Sequence, residues 1–242
     1  MKTRISKLLF FSGLILVGLN LLVWQALGRA PASGILTVAF LDVGQGDAIF
    51  IATPDGKQIV IDGGPGRSVF EGLGKLMPFN DRSIDLLIVT NPDQDHLGGL
   101  VEILNNYEVG MVIEPGTKTN TKVYEQFQVR KNEVPILLTA RGGMTLSLAN
   151  NVYLQIIAPT INASNLKTND GSVVARLVYG QTAFLLTGDA PEKVERAMLA
   201  VAPQKLSAQV FKVGHHGSRT STSPEFVKAI NPEFAVISSG AD

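Results

Sequence analysis

Three apolar runs in this chain each break off in a tight turn that carries a carboxylate, and that repetition restricts the folds open to it. Gln58-Ile59-Val60-Ile61 enters Asp62-Gly63-Gly64. Leu86-Leu87-Ile88-Val89 enters the loop at 90–99, and Thr182-Ala183-Phe184-Leu185-Leu186 enters Thr187-Gly188-Asp189. Short apolar runs bounded by glycine and polar residues read as buried strands, and buried strands need covering layers. Three strand ends tipped with acid suggest one shared rim. The likeness of 58–64 to 182–189 suggests two duplicated sheet halves whose rims meet across a cleft.

The remaining pattern predicts a mixed α/β (α+β) class. Strands are expected at 35–41 and 48–53, the second paired with 58–61 through the turn Pro54-Asp55-Gly56-Lys57. Helices at 69–77, 97–107 and 121–132 alternate with strands at 86–89, 111–113 and 135–138. Further strands are expected at 144–148, 152–158, 172–179, 183–187, 209–213 and 234–238, with a helix at 192–200. With 242 residues, 45% hydrophobic and 17% charged, one domain with a sizeable core is the natural count.

The first 33 residues stand apart. Lys2, Arg4 and Lys7 precede an uncharged run of 20 residues, 8–27. Such a run is long enough to cross a hydrocarbon core of about 30 Å as a helix. The basic flank predicts the amino terminus inside and residues 34–242 outside. A membrane anchor is the expectation, because the run exceeds a usual signal-peptide core. Ala26-Leu27-Gly28 keeps a cleaved signal peptide, and hence secretion, as the alternative.

Without Lys2, Arg4, Lys7 and Arg29 the chain holds 17 basic and 21 acidic residues, a net −4. That is no basic nucleic-acid footprint, so a polyanionic substrate would depend on bound cations for attraction. Cysteine is absent, which excludes disulfides and thiolate ligation. Any metal must be held by oxygen and imidazole.

Those donors are concentrated. In the loop 90–99, Asp93 and Asp95 are expected on one side of an extended segment with His96 beside them, a half-shell for a divalent ion. The other two of the three histidines, His215 and His216, follow the strand at 209–213. Imidazole combined with carboxylate suits zinc, manganese or magnesium better than copper. Each signal has a plain structural counterpart. Asp62-Gly63-Gly64 makes a tight turn, Asn91-Pro92-Asp93 a helix cap, Asp189-Ala190-Pro191 a helix start, and His215-His216 a solvated loop. Only their coincidence argues for metal.

Taken in order, Phe40-Leu41-Asp42-Val43-Gly44-Gln45-Gly46-Asp47-Ala48, Ile61-Asp62-Gly63-Gly64, Asp93-Gln94-Asp95-His96, Leu186-Thr187-Gly188-Asp189 and Gly214-His215-His216-Gly217-Ser218 resemble the metallo-β-lactamase fold. More narrowly, they resemble the extracytoplasmic hydrolase domain of the ComEC competence family. The resemblance covers nearly all of 35–240. It implies an αββα sandwich of two mixed sheets over 34–242, preceded by one hydrophobic helix, with one or two divalent ions at the sheet edges.

It further implies that Asp93, with Asn91, serves a first metal position and Asp95 and His96 a second. Asp189 would bridge them, His215 or His216 would face metal or phosphate, and Asp62 would orient a ligand or the attacking water. Asp42, Gln45 and Asp47 would line the mouth, Asn169 and Ser172 would stand where relatives often place a histidine, and Lys212 and Ser218 would contact substrate. The catalytic set so implied is Asp62, Asp95, Asp189, His215 and His216.

Two departures from the family pattern stand out. Asn91 occupies the position where the family's loop begins with histidine, and an amide oxygen is a weaker, neutral ligand. The chain also stops at Ser239-Gly240-Ala241-Asp242, where relatives continue through a further histidine-bearing loop, so the domain is expected to be truncated.

The expected function is an exported metal-dependent phosphodiesterase acting on single-stranded DNA during uptake, with transport needing a separate channel protein. A metallohydrolase of a small ester, lactam or nucleotide is one alternative, and a noncatalytic remnant that acts as a binding partner is the other.

Overall fold

Each apolar run becomes a strand because its alternate residues find apolar partners on both faces. A computed structural model describes residues 2–27 and 34–240, with side chains of the first segment described over 10–23. The first half runs α1 (Lys2–Leu27), β1 (Thr37–Phe40), β2 (Ala48–Ala52), β3 (Gln58–Gly63), α2 (Val69–Leu76), β4 (Ser83–Ile84), β5 (Leu86–Ile88), α3 (Gln94–Asn106), β6 (Glu108–Val109), β7 (Met111–Glu114), α4 (Lys122–Lys131) and β8 (Ile136–Thr139). The second runs β9 (Thr145–Ala149), β10 (Val152–Ala158), β11 (Val174–Tyr179), β12 (Thr182–Leu186), α5 (Glu192–Val201), β13 (Val210–Lys212), α6 (Pro224–Ile230) and β14 (Phe234–Val236).

The halves share one plan. The first sheet is ordered β1-β2-β3-β5-β7-β8, the second β14-β13-β12-β11-β10-β9. In each, an antiparallel meander ends in a strand that then pairs in parallel with its successor: β3 with β5, and β12 with β13. Parallel neighbours require crossovers, and α3, α4, α5 and α6 lie in those connections. The two segments alike in sequence, 58–64 and 182–189, therefore hold equivalent places.

Three apolar layers hold the four-layer αββα sandwich together. Ile49, Ile51, Ile59, Ile61 and Ile88 meet Leu154, Ile156, Leu177 and Leu186 between the sheets. The intervening residues Phe50, Val60 and Leu87 turn outward onto Leu73 of α2, Leu100 of α3 and Phe127 of α4. Across the second sheet, Leu185 and Phe211 pack on Met198, Phe226 and Ile230 from α5 and α6.

One close approach positions the site. A Cβ on Gly99 would stand 1.9 Å from the Gly63 carbonyl oxygen, so α3 presses its first turns against the end of β3 in a way only glycine permits.

The run 8–27, expected as a membrane-crossing anchor, lies partly outside the described side chains. Among the described residues no helix is long and apolar enough to cross a membrane. The small residues at 26–28 expected to suit a signal peptidase, and the last two residues of the chain, lie outside the described side chains.

Candidate metal centre

β3 delivers Asp62 in the left-handed backbone region, at φ 56°. Its Oδ1 accepts the Thr90 N–H at 2.7 Å, and its Oδ2 accepts the Thr90 hydroxyl and lies 2.8 Å from His96 Nδ1. Burial raises the Asp62 pKa. Held between these donors, the carboxylate sets the rotation of the His96 ring and turns Nε2 toward Asp189.

The expected extended segment at 93–95 is corrected. Leu97 N–H already bonds to the Asp93 carbonyl at 2.9 Å, so α3 begins at Gln94, with Asp93 as its cap and Asp95 and His96 in its first turn. That places Asp95 and His96 on the rigid element that Gly99 docks onto β3.

β12 supplies Asp189 after Gly188, whose φ of 50° suits glycine and where a Cβ would stand 2.7 Å from Thr90 Oγ1. β13 supplies the histidine pair on the 3-10 turn Gly214–Gly217, with His215 and His216 both left-handed, at φ 49° and 54°. Left-handed non-glycine residues cost backbone strain, and three of those among the described residues, Asp62, His215 and His216, sit here.

These elements bring Asp95, His96, Asp189 and His216 together, one ligand atom from each lying within 4.8 Å of the others. His96 Nε2 stands 3.1 Å from Asp189 Oδ2, and His216 Nε2 stands 3.2 Å from Asp95 Oδ2 and 3.5 Å from Asp189 Oδ1. Of the expected pair His215 and His216, His216 is therefore the imidazole that joins the set. Its Nδ1 is fixed 2.9 Å from the Ser238 carbonyl oxygen. His215 stays half-buried, with Nδ1 3.0 Å from the Thr220 hydroxyl and Nε2 3.9 Å from Asp189 Oδ2.

The electrostatics ask for a cation. Buried Asp47, Asp62 and Asp189 and half-buried Asp95 converge where Lys212 is the one buried ammonium among the described residues in contact with them. Burial disfavours charge on His96, yet the Asp62 and Asp189 carboxylates outweigh it and push the imidazole pKa well above its usual value. Burial likewise opposes charge on His216, but Asp47, Asp95 and Asp189 raise it to about 9. Asp189 is held low against burial by His96 and His216.

His96 Nε2, His216 Nε2 and Asp189 Oδ1 are buried without a hydrogen-bond partner. Orphaned acceptors converging on one point fit a divalent ion held by imidazole and carboxylate.

The other expected residues are distributed differently. Lys212, expected at the substrate, is 0% exposed, its Nζ bonded to Asp47 and 3.2 Å from the Gly188 carbonyl oxygen. An ammonium there neutralises Asp47 and cannot reach solvent. Asp47 itself lies inside, not at the mouth, its carboxyl held low against burial by Lys212, His216 and His96.

Asp42 and Gln45 are exposed, accepting from the Gly44 and Gly240 N–H groups at 3.3 and 3.0 Å. Asn91 Nδ2 donates to Asn169 Oδ1 at 2.7 Å, and Asp93 Oδ2 accepts the Thr168 hydroxyl at 2.9 Å. Burial and the Asp95 charge raise the Asp93 pKa. Ser172 is fully buried and Ser218 bonds to Thr220 at 3.0 Å. Sequence reasoning passed over Thr90, Thr168, Thr220 and Ser238, which position the acids and imidazoles through contacts that no spacing displays.

Residues 41–147 match the family model of the Metallo-beta-lactamase superfamily. The structure aligns with the metallo-beta-lactamase fold protein YhfI from Bacillus subtilis at a TM-score of 0.54, covering 83% of this chain and 87% of that one at 10% identity. Fold, site and matched residues thus define a metallo-beta-lactamase-fold protein. Within that class its sequence resembles competence proteins. It is 30% identical over 221 residues to ComE operon protein 3 of Bacillus subtilis, covering 84% of this chain and 28% of that one. It is 27% identical over 244 residues to Competence protein ComA of Neisseria gonorrhoeae, covering 93% of this chain and 33% of that one. The chain therefore spans about a third or less of the length of these relatives.

Proposed function

We propose that this protein is a metal-dependent phosphodiesterase whose substrate is a single strand of DNA. The observation that carries the reading is the convergence of Asp95, His96, Asp189 and His216, with three buried atoms left unpartnered. A divalent cation bound there, manganese or zinc by the donor set, acidifies water and withdraws charge from phosphoryl oxygens. Asp62 holds the His96 ring through Nδ1, Thr90 holds Asp62, and the Ser238 carbonyl holds His216. Half-exposed His215, steadied by Thr220, is the group placed to give a proton from Nε2 to the departing oxygen.

The substrate class rests on the likeness to competence proteins. In that setting the strand would arrive through a separate channel protein. The exposed apolar side chains of α1, among them Phe10, Phe11, Ile15 and Leu22, support membrane association, and the basic flank at Lys2, Arg4 and Lys7 supports an extracytoplasmic body.

The test is hydrolysis of labelled single-stranded DNA by the purified full chain with manganese, zinc or magnesium added after chelation. Metal-dependent cleavage that vanishes in Asp189→Ala is expected. Turnover of a model ester or lactam without DNA cleavage would shift the reading to a small-substrate hydrolase, and no turnover of either would leave only a binding role.

A further inference from the structure

We infer that this chain holds a single divalent cation, at Asp95, His96, Asp189 and His216, and that the adjoining position served by Asn91 and Asp93 is closed to metal by hydrogen bonding. The inference builds on the metal-dependent reading above and concerns how many ions the site takes.

The two ends of the 91–96 loop differ in what their side chains are free to do. At 95–96 the donors converge with Asp189 and His216, and His96 Nε2, His216 Nε2 and Asp189 Oδ1 lack partners. At 91–93 both polar side-chain atoms of Asn91 and one carboxylate oxygen of Asp93 are engaged. Asn91 is fully buried, its Oδ1 accepts the Asp93 N–H at 3.0 Å, and its Nδ2 donates to Asn169 Oδ1 at 2.7 Å. Only an oxygen can accept from a backbone N–H, so the amide orientation is set by the loop itself.

Asn169 thereby spends its own oxygen on Asn91. Asp93 Oδ2 accepts the Thr168 hydroxyl at 2.9 Å. The 168–169 segment thus acts as a plug, occupying the position with neutral hydrogen bonds.

Among the described residues no imidazole is left to open it. The three histidines are His96, His215 and His216; two are in the four-residue set, and the third is tied to Thr220. The second acidic grouping, Asp47 and Asp62 around His96 Nδ1, is already served by the buried Lys212 ammonium on Asp47 and by Thr90 on Asp62. Among the described residues, the place where carboxylate and imidazole converge with unpartnered atoms and no lysine is therefore the four-residue set.

The test loads the full chain with Mn²⁺, removes excess by desalting, and measures ions per chain by plasma mass spectrometry together with the EPR spectrum. One ion per chain is expected, with the spectrum of an isolated Mn²⁺ and no exchange coupling. Asp93→Asn, which keeps the helix cap, should still retain one ion, whereas His96→Ala should fall to background.

Two ions per chain, an exchange-coupled spectrum, or loss of the ion in Asp93→Asn would overturn the inference. Two ions with intact DNA cleavage overturn it while the phosphodiesterase reading stands. One ion with no hydrolysis upholds it while that reading falls, and a chain that retains no metal overturns both.

Discussion

His96 gathers more of the site than any other residue, since Asp62 faces its Nδ1 and Asp189 its Nε2. Asp62→Asn keeps the shape but removes the carboxylate that orients the ring. Metal affinity should fall about 10–100-fold, read by competition with a fluorescent chelator. Lys212→Met strips buried Asp47 of its ammonium partner, and urea denaturation should show a loss of about 3–5 kcal/mol; adding Asp47→Asn should recover much of it. At this scale the sequence revealed which acids and histidines mattered, because their types and strand-end places are unusual. It did not reveal that Lys212 is swallowed or which of His215 and His216 joins the set, since adjacent residues on a left-handed turn diverge in ways no linear pattern encodes.

The elements are positioned by contacts between helix starts and strand ends. Gly99→Ala should cost about 1–3 kcal/mol in chemical denaturation and weaken metal retention, because its methyl would collide with the Gly63 carbonyl that seats α3 on β3. Buried Glu195 of α5 accepts the Thr222 and Ser223 N–H groups and the Ser223 hydroxyl, tying α5 to the start of α6 just after the histidine turn. Glu195→Ala leaves these donors orphaned, and thermal unfolding should register a loss of about 2–3 kcal/mol. Apolar periodicity located these helices and strands within a few residues. It missed the three residues that carry α3 back to Gln94, because polar first turns are defined by capping and carry no apolar stripe.

For the whole molecule, a metal held at the proposed site, which both sheets assemble, should stabilise the native state over the unfolded chain. At an ion concentration about 100-fold above Kd the gain is about 2.7 kcal/mol. By scanning calorimetry, chelation should then lower Tm by roughly 5–10 °C, with the shift abolished in Asp189→Ala.

What the linear chain determined was the inventory: strands with two buried faces, acids and imidazoles at their ends, no thiolate, and therefore an oxygen and nitrogen donor set. What only the tertiary structure decided was the sorting of those donors. Asp95 and His96 share a helix turn with each other and a crevice with Asp189 and His216 from the second sheet, while Asn91 and Asp93 turn to Asn169 and Thr168. The physical reason is distance along the chain: residues separated by up to half its length meet only after the sheets pack. Whether a polar atom finds a hydrogen-bond partner or is left for a cation is settled at that meeting.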